Sequence, residues 1–246
     1  MTRIFAHRGY HRDSQFPENT IPAFEAAIRQ GADGFEFDVQ LSRDGKAIIF
    51  HDKTLGQIGI PKAILEMSLE ELKQTEIAKG IFLPTLNEVL ERFGNRTFLN
   101  IEIKSPNAAS EVARLINEYQ LELSPDNLIV SSFLEQPLLE IKEIDAQIPT
   151  GLLYMSPWGK IKRAKQLGCV AIHPFFGDVA TLGLKRIQKF FARRNIQEGQ
   201  KQGFLINPWT VNNPELIEEL VHRKSTGIIT DNLEDALSLR AHLHKI

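Results

Sequence analysis

Three acidic residues and one lysine occupy positions where apolar side chains would be expected. Glu36 and Asp38 stand two apart in "GFEFDV", and Glu102 stands two before Lys104 in "NIEIK". Side chains alternate along an extended strand. Glu36 and Asp38 therefore share one face while Phe35, Phe37 and Val39 take the other, and Glu102 with Lys104 repeats the arrangement opposite Ile101 and Ile103. Three carboxylates beside one lysine are costly to bury unless another cation joins them. A structural salt-bridge cluster would explain either pair alone. Two pairs ending neighbouring strands point instead to a bound ion, and an all-oxygen set suits Mg2+, Ca2+ or Mn2+ better than zinc, which favours histidine and cysteine.

Beside them stand groups that move protons and hold anions. His7 and Arg8 end the first apolar run in "FAHRG", and His51 ends another in "AIIFHD". A lone histidine in such a place is more often a satisfied core residue. A pair beside an ion, an arginine and a lysine reads differently. Arg8 offers a planar fork and Lys104 a point charge for phosphate oxygens. Two imidazoles can move protons on and off bridging oxygens, so the set fits a phosphodiester as substrate.

The elements that must position these residues alternate in type. Strand-like runs at 3–7, 34–39, 97–104, 127–132, 150–155, 169–173, 203–208 and 227–231 alternate with helical segments at about 20–30, 85–93, 109–120, 136–144, 158–167, 182–195, 213–223 and 232–243. Eight such units predict an α/β fold of the TIM (β/α)8 barrel type, with an open doubly wound sheet as the weaker alternative. The acids and His7 then lie at the carboxyl ends of the strands, where barrel active sites are built. One stretch departs from alternation. Asp44-Gly45 signals a hairpin that returns His51 beside the strand it left, and 52–84, with one helical stretch in "SLEELKQTE", reads as a small insertion after the strand-two hairpin, over the active-site face.

The length of 246 residues fits one domain spanning 1–246. With 42% hydrophobic and 24% charged residues and a formal net charge of -2, the chain carries no global field for nucleic acid or anionic membrane. The lone Cys169 excludes an internal disulfide and reads as a buried thiol, and no leader precedes the first strand, so a cytoplasmic protein is expected. No apolar run approaches the roughly twenty residues of a membrane span.

The motifs "HRG…PENT", "EFDV", "DGKAIIFHD", "LPTLNEVL", "NIEIK", "PWTVN" and "GIITDN" occur in one order along nearly the whole chain. As a set they resemble the glycerophosphodiester phosphodiesterase family. The resemblance implies a metal-dependent barrel enzyme that cleaves a glycerophosphodiester to glycerol 3-phosphate and an alcohol. It implies His7 and His51 as the general acid/base pair, Glu36, Asp38 and Glu102 as ligands of one divalent ion, Arg8 and Lys104 as phosphate contacts, and Glu18 as a carboxylate supporting Arg8. Trp209 is expected to stack on the glycerol or alcohol, and His173, Phe175 and Phe176 to border the cleft. Asp231 reads as a helix cap, and His11, His222, His242 and His244 as surface residues. The basic segment "LKRIQKFFARR" reads as an outer helix with a solvated face. The loop "YHRDSQF" is longer than is usual for the family, and the Arg-Thr-Thr run often found after "HD" is missing, so the head group is less constrained than the chemistry. A lysophospholipase D acting on lysolipids, a non-catalytic phosphodiester-binding barrel and a different metal-dependent barrel such as an aldolase are the rivals.

Overall fold

The computed structural model describes residues 1–12, 15–156, 158–176 and 185–243, with residues 185–191 described by backbone alone. The barrel strands are β1 (Arg3–His7), β2 (Gly34–Leu41), β6 (Phe98–Ile103), β7 (Leu128–Ser132), β8 (Thr150–Tyr154), β9 (Ala171–Pro174), β10 (Leu205–Ile206) and β11 (Gly227–Thr230). They run in the order β10-β9-β8-β7-β6-β2-β1-β11, with parallel pairing throughout this path. Three backbone bonds bring the ends of the path together: Thr226 N–H to the Ile206 carbonyl, Ile229 N–H to Pro208 and Val211 N–H to Ile229. The fold is thus a nearly closed barrel, and the open sheet is excluded.

The sequence dictates the rest locally. The helices are α1 (Ile21–Arg29), α2 (Leu69–Lys73), α3 (Leu86–Phe93), α4 (Ala109–Glu118), α5 (Glu135–Ile144), α6 (Ile161–Gln166), α7 (Lys185–Lys201), α8 (Pro214–His222) and α9 (Leu233–Leu243). Thr20 caps α1, Thr85 and Glu88 form a capping box on α3, and Asn213 caps α8 ahead of Pro214, each satisfying amides that a helix start leaves orphaned. Outward-facing Phe35, Phe37, Ile101, Ile103, Val130 and Leu152 pack with Phe24, Val89, Val112 and Leu138 of the helices into one continuous core. Phe24 stacks on Phe35 at 4.4 Å between ring centroids. Burial of each such aromatic contributes about 2–3 kcal/mol.

Inside the barrel, Phe5, Phe98, Ile129, Ala171 and Ile229 fill the amino-terminal end. Phe5 stacks on Phe98 at 4.2 Å, and the Arg3 guanidinium covers the Phe98 ring at 4.8 Å. Gly34 permits this packing, since a Cβ there would come within 2.2 Å of the Phe98 carbonyl oxygen. This layer is apolar apart from the Arg3 guanidinium that covers its rings, and the acidic residues of β2 and β6 lie above it toward the carboxyl ends of their strands.

The predicted hairpin is present. β3 (Ala47–Ile49) pairs antiparallel with β2 through Val39 and Ile49, and Phe50 N–H bonds the Asp38 carbonyl, setting His51 beside the acidic strand. The segment after it holds α2, the short antiparallel pair β4 (Glu76–Ala78) and β5 (Ile81–Phe82), and two single 3-10 turns. It has a core of its own, with Ile64, Met67, Leu72 and Leu83 packed on Ile48, Phe50 and Leu55. Ser68 and Glu71 form a capping box at the start of α2, as "SLEELKQTE" predicts. Leu184 and the side chains of 185–191 in the basic segment, and His244, lie outside the described residues.

Candidate active site

β1 delivers His7 and Arg8 to the carboxyl rim. His7 sits opposite Glu36 in the parallel register of β1 and β2. Arg8 takes a left-handed backbone with φ of 55°, uncommon for a non-glycine residue. That turn lets its N–H reach both the Glu36 carbonyl at 2.9 Å and Glu36 Oε2 at 3.2 Å. Its side chain spans two acids: Nη1 lies 2.9 Å from Glu18 Oε1, and Nε lies 3.1 Å from Asp38 Oδ2. Glu18 is thus in direct contact with Arg8. Asn19, also left-handed at φ 58°, donates from Nδ2 to Asp38 Oδ2 at 2.9 Å and fixes that carboxylate from the side.

β2 and β6 bring the acids together. Glu36, Asp38 and Glu102 are all buried, and each offers an oxygen within 4.8 Å of the others. Lys104 Nζ lies 3.0 Å from Glu102 Oε1 and 3.6 Å from Asp38 Oδ1. Asp38 is buried, yet Arg8, Lys104 and His51 around it hold its carboxyl below the usual range. Burial, with Asp38 and Glu102 close by, pushes Glu36 well up, and burial with Asp38 nearby pushes Glu102 up to about 7. Burial works against the charge on Arg8 and Lys104, but the surrounding carboxylates outweigh it and raise both. Two cations thus face three carboxylates: Arg8 and Lys104 meet at Asp38, Lys104 also reaches Glu102, and among the described residues Glu36 has no cationic side chain in ion-pair contact beyond the more distant His7 ring. Glu36 Oε1 is buried with no hydrogen-bond partner. This orphaned oxygen, in an all-oxygen trio short of positive charge, fits a hard divalent ion.

Each imidazole is held in the same way by a carboxylate. His7 Nδ1 lies 2.6 Å from Asp231 Oδ1, and His51 Nδ1 lies 2.7 Å from Asp52 Oδ1. With a carboxylate accepting the Nδ1–H, Nε2 of each ring is the nitrogen outside that bond. His7 Nε2 lies 3.8 Å from Glu36 Oε2. The Gln40 side chain donates to the His51 carbonyl at 2.9 Å and ties that turn to β2.

A cavity of about 120 Å³ joins these groups. His7, Arg8, Glu36, His51, Glu102 and Lys104 form its charged side, and Phe133, Leu153, Trp209 and Ile229 its apolar side. The Trp209 ring lies edge-on to Phe133 and Phe175 at 5.2 and 5.3 Å, and its Nε1–H donates to the His173 carbonyl at 2.8 Å. A larger groove of about 550 Å³, bordered by Trp158, Lys160, Lys162 and Asn195, brings no imidazole or acidic trio with it. The smaller cavity is the one that gathers both imidazoles, Arg8, Lys104 and two of the three acids.

Four expectations are corrected. Asp231 is not the cap of α9; Asn232 takes that place, its carbonyl accepting the Ala236 N–H at 3.2 Å, while Asp231 serves His7. Burial of Asp231 is outweighed by hydrogen bonds from His11, His7 and Asn212, which hold its carboxyl far below the usual range. His11 is not a plain surface residue, since Nε2 lies 3.3 Å from the same Asp231 oxygen. His173 does not border the cavity: it is fully buried, burial pushes its imidazole down to about 3, and a Cβ on Gly151 would strike its Nε2 at 2.5 Å. Phe176 is buried in the outer core, and Phe175 reaches the site only through Trp209.

Sequence reasoning passed over Asp52, Asp231, Asn19 and Phe133. Asp52 stands next to His51 and Asn19 inside Pro-Glu-Asn-Thr, so both were within reach. Phe133 carried no local mark, and the mark that Asp231 carried, its place ahead of a helix, pointed to a cap.

Comparison with known proteins agrees with the barrel fold and with the family that the motifs resemble. The chain is 33% identical to a glycerophosphodiester phosphodiesterase of Caldanaerobacter subterraneus subsp. tengcongensis, covering 97% of each chain, and 30% identical to one of Bacillus altitudinis over 99% of this chain and 100% of that one. Its fold matches the crystal structure of a Thermotoga maritima glycerophosphodiester phosphodiesterase with a TM-score of 0.79 at 30% identity, covering 98% of this chain and 99% of that one. A Parabacteroides distasonis glycerophosphodiester phosphodiesterase matches with a TM-score of 0.82 at 25% identity, over 99% and 98%. The model of the glycerophosphoryl diester phosphodiesterase family matches residues 7–235, a span that begins at the first imidazole of the site and takes in the last barrel strand, and the chain belongs to that family.

Proposed function

We propose that the chain hydrolyses glycerophosphodiesters to glycerol 3-phosphate and an alcohol, using His7 and His51 as a general acid/base pair beside one divalent ion, Mg2+ or Ca2+, held by Glu36, Asp38 and Glu102. The observation that carries this reading is the pairing of two imidazoles, each pinned through Nδ1 by an aspartate, on one cavity with an acidic trio, an arginine and a lysine. The ion, when bound, supplies Lewis-acid stabilisation of the charge that builds on phosphorus. With Glu36, Asp38 and Glu102 holding the ion, Arg8 and Lys104 would be left to direct their charge toward the phosphoryl oxygens.

One Nε2 accepts the proton of the attacking oxygen while the other ring, protonated, donates from Nε2 to the leaving oxygen. The attacking oxygen belongs to water or to the neighbouring glycerol hydroxyl. The apolar wall of Phe133, Leu153 and Trp209 packs against the carbon part of the substrate and keeps the cavity dry.

The test is release of glycerol 3-phosphate from glycerophosphocholine and glycerophosphoethanolamine by protein stripped of metal and then given Mg2+, Ca2+ or Mn2+ in turn. Activity restored by an ion supports the reading, and silence with all three sinks it.

A second reading, cleavage of lysolipids, is favoured by one observation. Leu134, Met155 and Trp158, on the loops that follow β7 and β8, are 38%, 62% and 72% exposed. An apolar rim of this kind suits an acyl chain. Faster turnover of lysophosphatidylcholine than of glycerophosphocholine would select this reading over the first.

A further inference from the structure

His11 belongs to a loop that the proposed reaction does not use, yet its ring points at the groups that hold His7. Its Nε2 lies 3.3 Å from Asp231 Oδ1, which itself lies 2.6 Å from His7 Nδ1, and one ligand atom from each of the three residues falls within 4.8 Å of the others. All three are partly open to solvent, with side chains 15%, 21% and 20% exposed for His7, His11 and Asp231. Asp231 is fixed from behind: Asn212 Nδ2 donates to Asp231 Oδ2 at 2.7 Å, and Asn212 Oδ1 accepts the Asp231 N–H at 2.8 Å. Two imidazoles and one carboxylate, with that carboxylate already oriented by an amide and a fourth direction open, form a donor set for a borderline ion such as Zn2+. Mg2+ and Ca2+, which want oxygen, have no reason to choose it.

We propose that His7, His11 and Asp231 form a second metal site, selective for Zn2+ over Mg2+ and Ca2+, whose occupation shuts the reaction down. The site uses Nδ1 of His7, on the opposite side of the ring from the Nε2 that faces Glu36, so it is distinct from the acidic trio. Inhibition follows from proton bookkeeping on one ring. Zn2+ at Nδ1 takes the place of the proton shared with Asp231, and the neutral imidazole then carries its one proton on Nε2. No lone pair is left to accept another, so the ring is lost as a base, and a neutral zinc-bound imidazole gives up its Nε2 proton far less readily than an imidazolium, so it is lost as an acid as well. The loss of activity rests on the reading of His7 as an acid/base group; the binding of zinc does not.

The test is titration of the purified protein with Zn2+ in excess Mg2+, by calorimetry and by inhibition of hydrolysis, with Co2+ in place of Zn2+ to give the visible spectrum of a site of low coordination number. The variant is His11→Gln, repeated as His11→Ala, each first matched to wild type by its melting curve. Expected for wild type is one Zn2+ per chain and inhibition with the same midpoint. Both variants should weaken the two readouts together by roughly 10-fold or more, with turnover in the absence of zinc unchanged. Equal zinc affinity in wild type and both variants, no binding in any of them, or undiminished inhibition of the variants, which marks displacement of the working ion from the acidic trio, would overturn the proposal. If no substrate is turned over but His11→Gln still loses zinc, the site stands and the reading of the reaction falls.

Discussion

The two imidazoles of the site are held through the same atom on different supports. His7 ends a barrel strand, is 15% exposed, and is held by an aspartate 224 positions along the chain. His51 leaves a hairpin, is 32% exposed, and is held by its immediate neighbour Asp52, itself 46% exposed. The His7 pair forms only when β11 docks beside β1, and Asp231 is then fastened by Asn212. The His51 pair needs only the hairpin, and water competes for it. Buried hydrogen bonds to charged groups are worth more than exposed ones. The geometry of the first imidazole therefore depends on the whole fold, and that of the second on a local turn.

Removing either ring tests whether they are partners at all. His7→Ala and His51→Ala should each lower kcat by roughly 10²–10⁴, measured as glycerol 3-phosphate release at saturating metal. Near wild-type turnover in both would end the acid/base assignment.

The comparison itself is tested by removing the orienting carboxylates. Asp231→Asn should lower kcat by roughly 10²-fold, less than the extreme seen when a fully buried orienting aspartate is neutralised, and Asp52→Asn by under roughly 10-fold because solvent already shares that bond. KM should barely move in either. Equal losses would show that the two supports do not differ as their burial implies.

Acid stability gives the same contrast without any substrate. The folded-state pKa of Asp231 is depressed, so its contribution to stability is complete above the ordinary aspartate range near about pH 4 and is lost as pH falls through the folded value. Melting temperatures taken between about pH 2.5 and 6 should fall less steeply for Asp231→Asn than for wild type. A parallel fall in the two would remove the special status of Asp231.

The smallest effect is expected at the apolar wall. Trp209→Ala should raise KM by roughly 10-fold, the worth of about one lost aromatic contact, with little change in kcat. A large fall in kcat would mean that Trp209 positions the chemistry through Phe133 and the His173 carbonyl.

Much of this was legible without coordinates, and for identifiable reasons. A strand has a period of two, so Glu36 and Asp38 had to share a face, and Asp44-Gly45 had to turn the chain so that His51 came back beside them. Those two local rules place the acids and one histidine. His173 misled because it ends a strand just as His7 does. Only the depth of each residue within the barrel tells them apart, and His173 lies fully buried under the cavity, packed where Gly151 leaves room. Asp231 misled because an aspartate ahead of a helix is a good cap in any fold, and the neighbouring Asn232 could do that work equally well.

The chain's own order of residues determined the strands, the caps, the hairpin and the chemical types gathered at the carboxyl rim, because propensity, alternation and turn geometry act over a few residues. Only the tertiary structure decided which carboxylate holds His7, which aromatic residues wall the cavity, and that His11 meets Asp231. Those contacts join residues from opposite ends of the chain, and no short-range rule reaches across a barrel that must first close.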